Sequence, residues 1–471
     1  MMKYIGIVPG FAQRTYAHIL QTPFLPSYKT NKWRSPVTQS LIKHDLCEFG
    51  NKNKMPDNML LRHAINLAFN DFALPEKVKM IHLNDIFQQD LDIWNKSPGL
   101  PWRDIGYKTK GDIKKDPEAI KKVRWFWHRI KDGEDIRPPD CLAYVRSHVV
   151  DIGEYKVRAV WGYPATVTFG EAMFALPLIR GYQKYRRPIA YGYETALGGA
   201  RKITNRFSPY QNFVGLDFRK FDKTVPVWLI EVAFDILASN IDFVRYDDYG
   251  IADARRNVKM YEYIKHYFIN TTIRTANGLR FKKSSGIASG SYFTQLIGSI
   301  VNYILCQWMC LELQGVFCKD ILVQGDDSLF ATSTVFDLQK AFKMMESIGM
   351  EINREKSQVT TELGTMKFLG YQLGFGVPRK PRDEWMTALL FPETPDITMA
   401  HLQSRALGLY YANMYVDRQF AELCKEIIQK CPFDLVIPRD FERKLKYIGL
   451  SLEVLKTGRL PTEMEFARLM I

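Results

Sequence analysis

Several features are scarce or missing in this chain of 471 residues. No uninterrupted apolar run approaches the ~20 residues that a membrane span needs, so no span is expected. The stretch from Met1 to Gly10 is too short and too soon broken for a secretory apolar segment. Cysteines number seven, at positions 47, 141, 306, 310, 318, 424 and 431, with no CxxC pair. An odd, unpaired set reads as reduced, intracellular thiols rather than a disulfide framework or a zinc site. The eight histidines are scattered and form no HExxH-type site. There is no internal repeat and no long low-complexity tract. Acidic residues are in deficit, 51 against 65 Lys and Arg, which leaves a net charge of +14 and a pI near 9.2. Such a balance favours polyanionic partners, either nucleic acid or an acidic membrane face.

What is present is ample core material, 46% hydrophobic and 13% aromatic. The length fits about two to four subdomains on one framework. Residues 1–60 are Pro-interrupted and weakly periodic. From Trp102 to Lys131 ten Lys/Arg stand against four acids, interleaved with Trp125, Phe126 and Trp127. This stretch reads either as a solvated amphipathic helix or as a nucleic-acid wall. Strand patterns cover Tyr155 to Trp161 and Asn212 to Asp217. Pro226 stands where a helix over Val227 to Ala238 begins. Ile269 to Lys283 suggests a hairpin with a type I′ turn at Asn277-Gly278. A long helix is expected from Tyr292 to Leu313, stopped by Gly315. Leu338, Ala341, Phe342, Met345 and Ile348 mark another helix, stopped by Gly349. Lys367 to Leu373 reads as a strand. After Gly376 the chain turns basic and Pro-rich, then mainly helical beyond Thr394, which puts a boundary near 375.

The densest chemical signal is Ile321 to Phe330, where two apolar runs flank Gly325-Asp326-Asp327. It predicts a hairpin whose tight turn presents carboxylates. Adjacent carboxylates repel by about 4 kcal/mol at ~4 Å and an effective dielectric of ~20, and a divalent cation reverses that sign. Asp217 ends a buried strand and Asp222 follows five residues later. If the two strands are sheet neighbours, Asp217 and Asp326 can hold a pair of cations for phosphoryl transfer. Between them, Ser284 to Gln295 reads as a Gly/Ser loop opening a helix, whose free N–H groups can approach a phosphate or sugar. Thr294, Gly298 and Asn302 then recur every four residues along one helical face. Taken singly, each of these also fits a solvated turn or a helix cap.

In this order, the segments resemble palm motifs A, B and C of viral RNA-dependent RNA polymerases, most closely the partitivirus-like enzymes of double-stranded RNA viruses. The stretches Ser289 to Ile297 and Val323 to Leu329 are similar to that group nearly letter for letter. Ser97 to Trp102 resembles motif G, Lys156 to Gly162 motif F, Gly349 to Ser357 motif D and Lys367 to Tyr371 motif E. The match runs from roughly 97 to 373.

The resemblance implies an α+β right-hand architecture with an antiparallel palm sheet. Its parts would be fingers with an N-terminal extension (1–210), palm (211–225), an insertion (226–284), palm again (285–375) and thumb (376–471). It implies template-directed RNA synthesis from ribonucleoside triphosphates, with Mg²⁺ or Mn²⁺ held by Asp217, Asp326 and Asp327. Lys356 would donate a proton to pyrophosphate. Asp222, Ser289, Thr294 and Asn302 would read the ribose, and Lys156 and Arg158 would hold the triphosphate. Ser97, Gly99, Pro101 and Gly290 would guide the template. Basic groups at 103–131, 180–187 and 201–206 would meet phosphates non-specifically. Where many members carry an asparagine, this chain has Gly298, so Asn302 one turn later is the substitute expected at the sugar. The analogy further implies RNA template and product as partners, a capsid-protein partner, and a place in the virion interior or host cytoplasm. A monomeric catalytic unit without a membrane is expected. The alternatives are a reverse transcriptase, against which Gly325 and Asp222 argue, and a non-catalytic RNA-binding palm, against which the three aspartates argue.

Overall fold

The computed structural model describes residues 2–17, 21–430 and 459–471. Cys431 and much of the segment expected to be helical after Thr394 lie outside the described residues.

A four-stranded antiparallel sheet carries the centre of the molecule, in the order Asp320–Gln324, Asp327–Thr332, Asn212–Gly215, Gln358–Thr360. Its strands are hydrophobic on both faces because both faces are covered. Phe213, Leu322, Leu329 and Ala331 pack one way, with Phe207, Met366 and Phe368. Val214, Ile321, Val323 and Phe330 alternate with them and enter the main core. That core contains the helix Thr294–Gln314, buried on nearly every side from Leu296 to Leu311. By length and composition this helix is apolar enough to cross a membrane, but 89% of its apolar window is buried inside the protein. Its apolarity is that of a central core helix.

A second sheet, Lys3–Ile7, Leu279–Lys282, Thr272–Arg274, Cys141–Ser147 and Val157–Gly162, forms one wall above the first. A separate apolar core, from Trp385 to Phe466, joins the helices Arg382–Leu390, Met399–Asn413, Arg418–Gln429 and Glu463–Met470.

Four local expectations shift. The strand expected from Tyr155 begins at Val157, so Lys156 precedes it. The expected helix at Tyr292 begins at Thr294, because the preceding turn is held by Glu171 from the helix Ala165–Lys184. The helix Ala254–Ile269 runs through Ile269, and only Gly278 has positive φ in the 275–278 turn (85°). A type I′ turn needs positive φ at both central residues, so this is a longer turn closed by Thr275 and Leu279. Finally, 367–373 is not one strand. Leu369 (φ 53°) and Gly370 (φ 81°) turn it into a tiny hairpin, Lys367–Phe368 with Tyr371–Gln372.

Candidate active site

The hairpin Asp320–Gln324/Asp327–Thr332 is in register with Gln324 opposite Asp327, leaving Gly325 and Asp326 as the turn. Gly325 has φ 59°, a conformation glycine adopts freely. The neighbouring strand pairs Val214 with Phe330 and Asn212 with Thr332. The strand ends at Gly215, two residues before Asp217, and brings Asp217 close enough for its charge to act on both Asp326 and Asp327. The carboxylates at 217, 326 and 327 therefore meet at one end of the sheet. Asp217 is fixed by its backbone: its N–H donates to Ser357 Oγ (3.1 Å) and its carbonyl accepts from Asn353 N–H (2.6 Å).

A cleft of about 860 Å³ opens over this end. Asp217, Asp222, Asp326, Lys156, Arg158, Ser289 and Lys356 all line it. Water reaches these acids, yet protein walls them on most sides. Desolvation first, and the Asp326 charge second, push Asp222 up to about 6 against the pull of Arg158 and Lys223. Desolvation followed by Asp326 and Asp217 pushes Asp327 up to about 6. Asp326 is also raised, mainly by desolvation, with Asp217 adding and Arg158 opposing. On the opposite wall Arg158 points into the cleft between buried Val157 and Ala159. Lys156 is lowered by desolvation, then by Arg158 and Lys356. Crowded acids thus face crowded cations across one opening.

The acids suit hard cations. Among the described residues no group of three or more His, Cys, Asp or Glu side chains is arranged to hold a metal ion by itself. An open site with one or two carboxylates, completed by substrate phosphates, is the usual arrangement for Mg²⁺, and the mutual repulsion of the three aspartates is what a cation relieves.

Not every expected residue lies in the cleft. Asn302 was expected at the sugar, but it is fully buried and both its N–H groups are spent, on Gly325 O (3.0 Å) and Asp327 O (3.1 Å). It pins the acidic turn from behind, together with Ser299 Oγ, which accepts from Gly325 N–H (2.8 Å). Gly298 faces the same turn: a Cβ there would stand 3.4 Å from Gly325 Cα, in ordinary contact with it. Thr294 donates to Ala288 O (2.7 Å) and closes the loop rather than lining the cleft. Ser289 Oγ lines the cleft and accepts from Trp161 N–H (3.2 Å). Gly290, at φ 99°, would place a Cβ 2.1 Å from Trp161 O, so only glycine fits.

Ser97, Gly99 and Pro101 lie outside the cleft lining, with Gly99 against Tyr163 and Pro164. Lys110 Nζ donates to Ser97 O (2.5 Å) and Ser97 Oγ bonds Tyr144 OH (2.6 Å). The basic stretch proves to be largely helix, Pro117–Asp132, with Trp127 buried and Trp125 65% exposed. Arg206, expected at phosphates, is instead committed to Asp320 by two bonds of 2.6 and 2.8 Å.

Three supporting groups escape sequence reasoning. Glu171, fully buried on the helix Ala165–Lys184, accepts from Ser291 Oγ and from Tyr292 N–H (3.4 Å), and so holds the turn before Thr294. Lys283 is buried with Nζ on the carbonyls of Phe268, Ile269 (3.0 Å) and Gly286 (2.9 Å). Burial pushes it down to about 7, but three acceptors match the three N–H donors of an ammonium and favour the charged form. Lys223 pairs with Asp45 and Glu48, far upstream. A lone acid within the apolar run 165–178 is a readable signal for Glu171. The other two have none.

A palm sheet that carries paired acids on adjacent strand ends, roofed by a second sheet and followed by a helical third body, is the fold of a right-hand polymerase. The structure aligns with a Sicinivirus 3Dpol RNA-dependent RNA polymerase at a TM-score of 0.71, over 94% of this chain and 98% of that one, at 13% identity. The sequence model of the viral RNA-dependent RNA polymerase family matches residues 25–430, and the chain belongs to that family. It is similar to the RNA-directed RNA polymerase of Cryptosporidium parvum virus 1 (strain KSU-1), 27% identical over 67% of this chain and 62% of that protein. For the enzymes of Atkinsonella hypoxylon virus (isolate 2H) and White clover cryptic virus 1 (isolate Boccardo/2004), identities are 25% and 24% over 60% and 63% of this chain. The alignments cover 49% and 52% of those two relatives, so this chain spans between about half and three fifths of the length of the relatives it matches.

Proposed function

We propose that this protein copies an RNA template into RNA from ribonucleoside triphosphates, for the replication and transcription of a viral genome. The observation that carries this reading is the convergence of Asp217 and Asp326 at one sheet end, with Lys356 beside them and Lys156 and Arg158 on the other wall of one cleft. Asp217 and Asp326, with Asp327 beside them, would hold Mg²⁺ or Mn²⁺. Such a pair, when bound, supplies acidification of a 3′-hydroxyl and charge neutralisation of pyrophosphate.

The chain's own residues do the rest. Lys156 and Arg158 bind and orient the triphosphate. Asp222 and Ser289 face the sugar, whose 2′-hydroxyl is the mark of RNA. Lys356 delivers a proton to the leaving group. Ser97, Gly99, Pro101 and Gly290 shape the template path beside motif F. Residues 376–471 act as the thumb, which is supported by the separate apolar core there. The viral source of the relatives supports a capsid-protein partner and a virion or cytoplasmic location.

The test is extension on primed and unprimed RNA with ribo- or deoxyribonucleotides. Ribonucleotide incorporation by the wild type, lost on the order of 10³-fold in Asp326→Ala, is expected. Equal extension by Asp326→Ala, or a preference for deoxyribonucleotides, would remove the reading.

A further inference from the structure

Residues 45–51 precede every recognised motif, yet they reach motifs F and A and the residues that lead into B and D. Asp45 accepts from Ala159 N–H of motif F (2.8 Å) and from Lys223 Nζ of motif A. Glu48 accepts from Lys223 Nζ (2.6 Å) and from Lys220 Nζ (2.7 Å). Phe49 packs edge-on against Trp161, with ring centroids 5.2 Å apart. Asn51 is buried and fully used: its N–H donates to Ser285 Oγ (2.9 Å) before motif B, and Nδ2 donates to Thr224 O and to Ile348 O (2.7 Å each). Ile348 leads into motif D.

These contacts converge on the helix Phe221–Thr224, which carries Asp222 and is a single turn. Helix nucleation is unfavourable, and isolated helices below ~12 residues are marginal in water. One turn does not hold itself, so its place is set from outside. Ile287 N–H holds Asp222 O (2.6 Å) from the motif B side. Phe221 is buried in the main core and Gly286 N–H holds Val225 O (3.0 Å), and the upstream segment adds the polar holds on Lys223 and Thr224: the Lys223 ammonium on Asp45 and Glu48, the Lys223 carbonyl from Gly50 N–H (3.3 Å), and the Thr224 carbonyl from Asn51. The Lys223–Asp45 pair is shielded, with side chains only 13% and 8% exposed, so salt screens it little. Through Ala159, the neighbour of Arg158, the same carboxylate ties the triphosphate wall to the sugar-facing acid.

We propose that Asp45, Glu48 and Asn51 are positioning residues that set the place of Asp222 and thereby govern sugar discrimination and nucleotide affinity. This rests on reading Asp222 as the ribose contact. Steady-state kinetics would be measured for Lys223→Met, for Asp45→Asn/Glu48→Gln and for their combination, on RNA with ribo- and deoxyribonucleotides. RNA binding and thermal melting serve as checks of folding. Each set is expected to lower the ribonucleotide preference in kcat/KM about tenfold, chiefly through KM. Both sets break the Lys223 ion pairs and the carboxylate set also frees Lys220, so the combination should lose no more than the carboxylate set alone. Lys223→Arg should retain the preference.

An unchanged preference in folded Lys223→Met, or losses that multiply in the combination, would overturn the proposal. If the carboxylate variant does not fold, Lys223→Met and Asn51→Ser decide the matter. Asp222→Ala in the same assay judges the ribose reading separately. No effect there sinks that reading and this proposal with it, whereas a loss there beside an unchanged preference in Lys223→Met overturns the brace alone.

Discussion

Glu171 shows how much one buried group can hold. Its carboxyl is fully enclosed, faces Lys110, and bonds the Ser291–Tyr292 turn that opens the central helix. Desolvation pushes it from 4.5 up to about 8. The native state therefore binds more protons than the unfolded chain between those values, and stability falls as pH rises through that window. Glu171→Gln keeps a polar partner for Ser291 without the charge. Its melting temperature relative to wild type should climb from about pH 4.5 to 8 and then level off. A difference independent of pH would show that the carboxyl is not enclosed as described. Residue-scale chemistry is partly legible in the chain. Asp217, Asp326 and Asp327 stand out because acids rarely end buried apolar strands without a purpose. Asp45 and Glu48 do not, because their partner Lys223 lies more than 170 positions away and no local pattern points to it.

At the scale of elements, the acidic hairpin and the central helix form one unit. Ser299 and Asn302 grip the turn from the helix side, and Gly298 faces it. Asn302→Ala would leave the Gly325 and Asp327 carbonyls without a buried donor, at a cost of about 1–3 kcal/mol. It should lower kcat about tenfold and leave sugar preference unchanged. A changed preference with kcat intact would restore Asn302 to the sugar. Period and turn chemistry make the hairpin, the helices 227–238 and 338–347 and the Gly349 stop readable in advance. They fail where tertiary contacts override them. Glu171 delays the start of the central helix to Thr294, and Leu369-Gly370 folds an apparent strand back on itself. The helical spacing of Thr294 and Asn302 was visible, but which face meets the cleft and which meets the hairpin is decided only by packing.

Over the whole molecule, the second sheet and the upstream segment act as a roof tied down onto the palm. The roof supplies Lys156 and Arg158, and the palm supplies the acids and Lys356. The net charge of +14 suits a polyanionic template and product, although Arg206 shows that basic residues in the sequence are not all available to phosphates. The order of the motifs makes the fold class legible, since each marks a strand end or loop around one sheet. The tie between the upstream segment and motif A is not legible, because it depends on burial and side-chain direction. The central claim is that Asp217 and Asp326 share cations at this sheet end. Mn²⁺ binding followed by electron paramagnetic resonance, with primed RNA and a non-hydrolysable ribonucleotide present, tests it most directly. The account predicts bound Mn²⁺ in the wild type and its loss in Asp217→Asn and in Asp326→Asn alike. Undiminished binding in either variant would contradict it.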